Sequence, residues 1–181
     1  MNNIAVHHSS NTHLWATPQD LFDRLNAIHG FTLDVCALPE NAKCAKFYTP
    51  DMDGLAQDWK NNICWMNPPY GREIGKWVKK AYDATFMGWQ HGGAKVVCLL
   101  PARTDTKWWH DYVIPHGKIE FLRGRLKFVG AASCGHSNSA PFPSAIVIFL
   151  PKAKPDSLVT KEFVESGLYT KHENPSRESG K

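Results

Sequence analysis

The 181-residue chain contains no stretch approaching 18 uninterrupted apolar residues, so no membrane span is expected. It also lacks a Cys-x-x-Cys pair. The five cysteines, Cys36, Cys44, Cys64, Cys98 and Cys134, are spaced by 8, 20, 34 and 36 positions, which excludes a zinc-like pairing. The nine histidines are scattered, and no metal is expected. Residues Met1 to His8 have neither a basic n-region nor an apolar h-region. With an odd number of cysteines, that predicts a reducing, cytoplasmic setting. An excess of one charge is scarce too: 21 Lys+Arg against 17 Asp+Glu leave +4, a lean toward polyanions that does not establish binding.

What is present is ordinary globular composition, 43% hydrophobic and 21% charged, which excludes wholesale disorder. The length predicts a single domain with a real core. Thr17 reads as a helix N-cap, with Pro18 at the first helical position and Gly30 as the stop. Leu21, Phe22, Leu25 and Ile28 recur at helical spacing between them. Strands are predicted at 31–37, 63–66, 95–100, 118–122, 126–129 and 144–150. Helices are predicted after Pro69, with Ile74, Trp77, Val78, Ala81 and Thr85 on one face, and at 104–113. Alternation of this kind predicts an α/β domain with a largely parallel sheet over residues 1–150. Residues 151–181, with 6 basic and 5 acidic residues and few apolar anchors, read as a flexible C-terminal tail.

The most informative segment is Asn67-Pro68-Pro69-Tyr70, directly after the strand ending at Met66. Two prolines fix their own φ and restrict the residues before them, giving a stiff loop at the carboxyl end of a strand, where open α/β sheets hold ligands. The Asn67 side-chain carbonyl and the Pro68 backbone carbonyl together suit the two hydrogens of an exocyclic amine, and Tyr70 offers a flat face to a planar ring. This fits a base flipped out of a duplex. It also fits methyl transfer to an amino nitrogen: accepting the amine hydrogens frees a lone pair otherwise delocalised into the ring, and orientation then catalyses in-line attack. A turn that merely contains two prolines is the bland alternative. A tetrapeptide of this type arises by chance roughly once in 200 chains of this length.

With Trp15-Ala16-Thr17-Pro18, Leu33-Asp34-Val35-Cys36-Ala37, Asp53-Gly54-Leu55, Asp58-Trp59, Leu100-Pro101-Ala102-Arg103-Thr104-Asp105-Thr106, Trp108-Trp109, Gly124-Arg125-Leu126-Lys127-Phe128 and Ala140-Pro141-Phe142-Pro143-Ser144-Ala145, the chain resembles the phage-type, Dam-like DNA adenine-N6 methyltransferases over about Leu14 to Leu150. The resemblance implies a compact Rossmann-like fold, S-adenosylmethionine as methyl donor and adenine N6 in DNA as acceptor. It implies catalytic roles for Asn67, Pro68, Pro69 and Tyr70. It implies donor binding by Trp15, Thr17, Pro18, the Asp34, Val35, Cys36 and Ala37 loop, and the acidic segment of Asp53 and Asp58. One departure stands out. The glycine-rich loop usual after the first strand of methyltransferases is replaced by Asp34-Val35-Cys36-Ala37-Leu38-Pro39-Glu40-Asn41, and only 33 positions separate Asp34 from Asn67, which predicts a trimmed sheet.

Alternatives stay open at several positions. Thr17-Pro18 is a helix cap alone or a cap that also meets the donor. Asp34 caps a turn or meets the donor's α-amino group. Asp53 and Asp58 are turn and surface residues, or one of them accepts hydrogen bonds from the donor ribose or adenine. For DNA, Arg72 to Lys80 and Arg103 to Lys127 each carry a local charge of +3. Arg72, Lys76, Arg103, Lys107, Arg123 and Arg125 are the candidate phosphate contacts, Arg103 foremost. Target recognition is expected from insertions around 103–139 or from a second subunit of a homodimer. RNA or protein glutamine as acceptor, and a silent DNA-binding relative, are the competing functions. Cytosine-C5 chemistry is disfavoured because no Pro-Cys occurs.

Overall fold

The computed structural model describes residues 15–86, 92–128 and 139–152. The tail from 153, Cys134, most of the polar loop 130–139 and the far end of the strand predicted at 126–129 lie outside the described residues.

Helix α1, Gln19–His29, is closed by Gly30 at φ 68°, and the Gly30 N–H donates to the Asn26 carbonyl. That left-handed geometry is why glycine suits the position. Leu21, Phe22 and Leu25 are buried, but Ile28 is 73% exposed, contrary to the predicted face. The helix also starts differently. Pro18 is its N-cap, its carbonyl accepting from Phe22 N–H at 3.2 Å, and Thr17 makes no cap hydrogen bond.

The strands are β1 Leu33–Asp34, β2 Ile63–Met66, β3 Lys95–Pro101, β4 Lys118–Phe121 and β5 Ser144–Phe149. They form one sheet in the order β1-β2-β3-β5-β4. The β1–β2 and β2–β3 pairings are parallel, whereas β5 runs antiparallel to both β3 and β4. The sheet is therefore mixed rather than largely parallel. β3 is buried from Val96 onward, which matches its unbroken apolar run. Helix α2, Ile74–Asp83, connects β2 to β3 and buries Ile74, Val78 and Ala81.

Segment 35–62, between β1 and β2, contains no strand and no α-helix, only a 3₁₀ turn at Pro50–Met52 and an isolated bridge from Asp34 to Phe47. Two further expectations shift. The helix predicted at 104–113 starts instead at Lys107, is π-helical over Trp109–Val113 and runs into α3, Ile114–His116; Thr104 to Thr106 form a turn in which the Thr106 hydroxyl donates to the Arg103 carbonyl. The strand predicted at 126–129 is reduced to one bridge, Lys127 to Ser139. Among the described residues, no helix is long and apolar enough to cross a membrane.

Candidate active site

Parallel pairing of β1 and β2 sets the site. Asp34, the last residue of β1, lies opposite Trp65 on β2, so Asn67 emerges two positions beyond its level on the neighbouring strand. Between these strand ends and the 35–54 segment lies a pocket of about 290 Å³. That is at the small end of ligand-site volumes. Trp15, Thr17, Asp34, Val35, Cys36, Ala37, Asp53, Asn67, Pro68 and Pro69 all line it. The motifs singled out from distant parts of the chain are thus brought to one place. Lys43, Tyr48, Thr49 and Trp77 also line it and were not singled out. Trp77 did carry a signal, but its place on the apolar face of α2 reads equally well as core.

Asp34 is 3% exposed. Among the described residues its carboxylate bonds only backbone N–H groups, Cys36 at 3.3 Å and Lys43 at 3.1 Å. The Lys43 ammonium is turned away, donating to Gln19 Oε1 at 2.6 Å. Burial raises the Asp34 pKa from 3.8 to about 6, and the two backbone hydrogen bonds offset only part of that rise. A carboxylate so placed favours a cationic ligand. Burial, and then the adjacent Asp34 carboxylate, push the Cys36 thiol well above its usual range, so Cys36 is a neutral wall residue rather than a nucleophile.

The pocket wall at 53–54 depends on close backbone approach. A Cβ on Gly54 would stand 2.2 Å from the Val35 carbonyl oxygen, so only glycine fits. The Gly54 carbonyl accepts from the buried Trp59 indole at 2.8 Å. Asp53, at φ 49°, lines the pocket and accepts from Leu55 N–H. Asp58 does not line it. Its carboxylate turns back onto Lys60, accepting from the backbone N–H at 3.0 Å and pairing with the ammonium at 3.7 Å. Pro18 does not line it either, being engaged as the cap of α1.

The Asn67 side chain is held on one side only. Its Nδ2 donates to the Trp15 carbonyl at 2.5 Å and to the Thr17 hydroxyl at 3.1 Å. Its Oδ1 is buried and has no hydrogen-bond partner among the described residues. Tyr70 lies outside the pocket wall and is buried. Its hydroxyl donates to the Leu99 carbonyl at 3.1 Å, and its ring meets Phe128 and Phe142 edge-on at 6.0 and 5.4 Å. The open stacking face expected of Tyr70 is therefore covered in this conformation. Trp15 packs against the same two phenylalanines.

The basic candidates divide. Arg103 is half-buried just past β3, and its guanidinium donates to the Tyr70 carbonyl at 3.4 Å, which ties it to the Pro-Pro loop. Arg72 is exposed on the same loop, and Arg123 and Arg125 are exposed on either side of Gly124. Lys76 pairs with Glu73, and Lys107 pairs with Asp111 at 2.8 Å, so the local charge of these two is partly balanced.

Comparison with known proteins places the chain in a family. The family model described as DNA N-6-adenine-methyltransferase (Dam) matches residues 6–168. A DNA N-6-adenine-methyltransferase of Haemophilus phage HP1 is 31% identical over 153 residues, covering 82% of this chain and 85% of that protein. Another, of Escherichia phage T1, is 37% identical over 100 residues, 54% of this chain and 40% of that protein. With the match running from ahead of α1 to beyond β5, the chain belongs to the Dam family of DNA N-6-adenine-methyltransferases.

Proposed function

We propose that the chain transfers a methyl group from S-adenosylmethionine to the N6 amino group of adenine in DNA, on a base turned out of the duplex and by direct in-line attack. The observation that carries this reading is the meeting of a buried carboxylate, Asp34, and the Asn67-Pro68-Pro69 loop in one pocket. The donor set fits the methyl donor. Asp34 suits its α-ammonium group, Asp53 its ribose hydroxyls, and Val35, Tyr48 and Trp77 supply apolar wall. When bound, S-adenosylmethionine supplies an electrophilic methyl on a sulfonium. Asn67 Oδ1 and the Pro68 carbonyl accept the two N6 hydrogens, which localises the nitrogen lone pair and aims it. No covalent bond to the protein is required, in keeping with the neutral state of Cys36.

Asn67 is reached from the pocket it lines, whereas stacking of adenine on Tyr70 requires the Phe128 and Phe142 rings beside it to move aside. The trimmed connection between β1 and β2 leaves segment 35–54 to build the donor wall that a longer sheet would supply. Residues 103–139, with Arg103, Arg123 and Arg125, act as the DNA-facing elements of the 1–150 domain, alone or completed by a second copy. Purified protein given methyl-labelled donor with DNA, RNA and bulk protein in parallel should label DNA, on adenine. Label confined to RNA or to protein glutamine would replace this reading, and donor binding without any transfer would indicate a silent relative.

A further inference from the structure

We infer that Thr17, acting with the backbone carbonyl of Trp15, is a positioning residue for Asn67, fixing the amide so that Oδ1 faces the amine to be methylated. The inference rests on the reading of Asn67 as the acceptor for adenine N6. Thr17 is not the cap of α1, which begins at Gln19 behind Pro18 with no side-chain cap bond. It is buried instead, 3% exposed, and its hydroxyl accepts from Asn67 Nδ2 across a sequence separation of 50 residues.

Both amide hydrogens of Asn67 are thereby spoken for, one by the Trp15 carbonyl at 2.5 Å and one by Thr17 at 3.1 Å. The opposite amide orientation would set Oδ1 against the Trp15 carbonyl, two acceptors in contact, and leave the amino group where Oδ1 now lies. The network therefore determines which end of the amide is presented. What it presents is an acceptor with no partner of its own among the described residues, Oδ1, buried in a residue that lines the pocket. A buried unpaired carbonyl costs stability, and a ligand N–H recovers that cost. Engaging both Nδ2 hydrogens also polarises the amide toward oxygen, which makes Oδ1 a stronger acceptor. The entry to α1 thus serves the chemistry at the end of β2 rather than the start of its own helix.

The test is Thr17→Val, which keeps the shape and removes the hydroxyl, beside Thr17→Ser, which restores it. Turnover, kcat, should fall about tenfold in the valine variant, with KM for the donor unchanged, and the serine variant should recover it. Unchanged kcat, a serine variant no better than valine, or a raised donor KM at normal kcat would overturn the assignment, the last by making Thr17 a donor contact. A second readout does not depend on activity. The side-chain amide protons of Asn67, identified by their loss in Asn67→Ala, should exchange slowly with solvent in the wild-type protein and shift in Thr17→Val but not in Thr17→Ser. Fast exchange, or resonances indifferent to Thr17→Val, would overturn the positioning role even if the protein methylates adenine. Slow, Thr17-dependent protons in a protein that methylates no adenine would uphold the network and overturn only the functional reading.

Discussion

Replacing Asp34 by asparagine separates two effects of one buried carboxylate. In the protein without donor, the Asp34 pKa rises from 3.8 to about 6 through burial, with the backbone N–H groups of Lys43 and Cys36 pulling the other way. That rise corresponds to about 3 kcal/mol. The folded state binds the Asp34 proton more tightly than the unfolded chain does. Folding therefore suffers no penalty from this group below pH 3.8, accumulates it across the window from 3.8 to about 6, and carries all of it above. Asparagine does not titrate. Wild-type stability should thus gain up to about 3 kcal/mol on the variant as pH falls from 7 to 4, read as the difference between urea midpoints at each pH. Donor affinity should move the opposite way. The ionised form binds the donor's ammonium group, so wild-type affinity falls tenfold per pH unit below about 6. The variant should lose about 2 kcal/mol or more of binding at neutral pH, some thirtyfold, because the donor's cation is then desolvated without a partner. Calorimetric titration of the donor from pH 5 to 8 measures this. A pH-independent stability difference would refute the burial argument, and a variant that binds donor as the wild type does would refute the assignment of Asp34 to the donor.

Two other perturbations test separate parts of the site. Gly54→Ala places a Cβ 2.2 Å from the Val35 carbonyl oxygen, and thermal unfolding should show a loss of about 2 kcal/mol together with weakened donor binding; a stable variant with normal binding would show that the 53–54 wall is not a close contact. Arg103→Ala should weaken DNA binding with little change in donor binding and lower the salt-dependence slope by about one. An unchanged slope would remove Arg103 from the phosphate contacts.

The apolar runs of β2, β3 and β5 and, Ile28 apart, the faces of α1 and α2 were legible because each reports burial through local periodicity. Strand direction was not: a run such as Ser144 to Phe149 reads alike in a parallel or an antiparallel neighbour, and only the connection decides. β1 is shorter than the strand predicted at 31–37: past Asp34 the Val35 N–H still bonds the Trp65 carbonyl, but the Ala37 N–H turns to the Tyr48 carbonyl and the Asp34 carboxylate takes the N–H groups of Cys36 and Lys43. The candidate site was legible where stiff or charged residues sit at strand ends, Asp34 and Asn67-Pro68-Pro69. It was illegible where a role depends on distant partners. Thr17 has the composition of a cap and is instead bonded to Asn67, and Tyr70 has the look of a stacking residue yet is covered by Phe128 and Phe142. Asp53 and Asp58 look equivalent in sequence, but only Asp53 lines the pocket.

The most direct test is nucleoside analysis of unmethylated DNA after incubation with S-adenosylmethionine and either the wild-type chain or Asn67→Ala, with donor binding measured for both. The wild type should produce N6-methyladenine, and the variant should produce none while retaining donor affinity. Absence of N6-methyladenine with the wild type, or equal yields from the two proteins, would contradict the assignment of adenine methylation to the Asn67 loop.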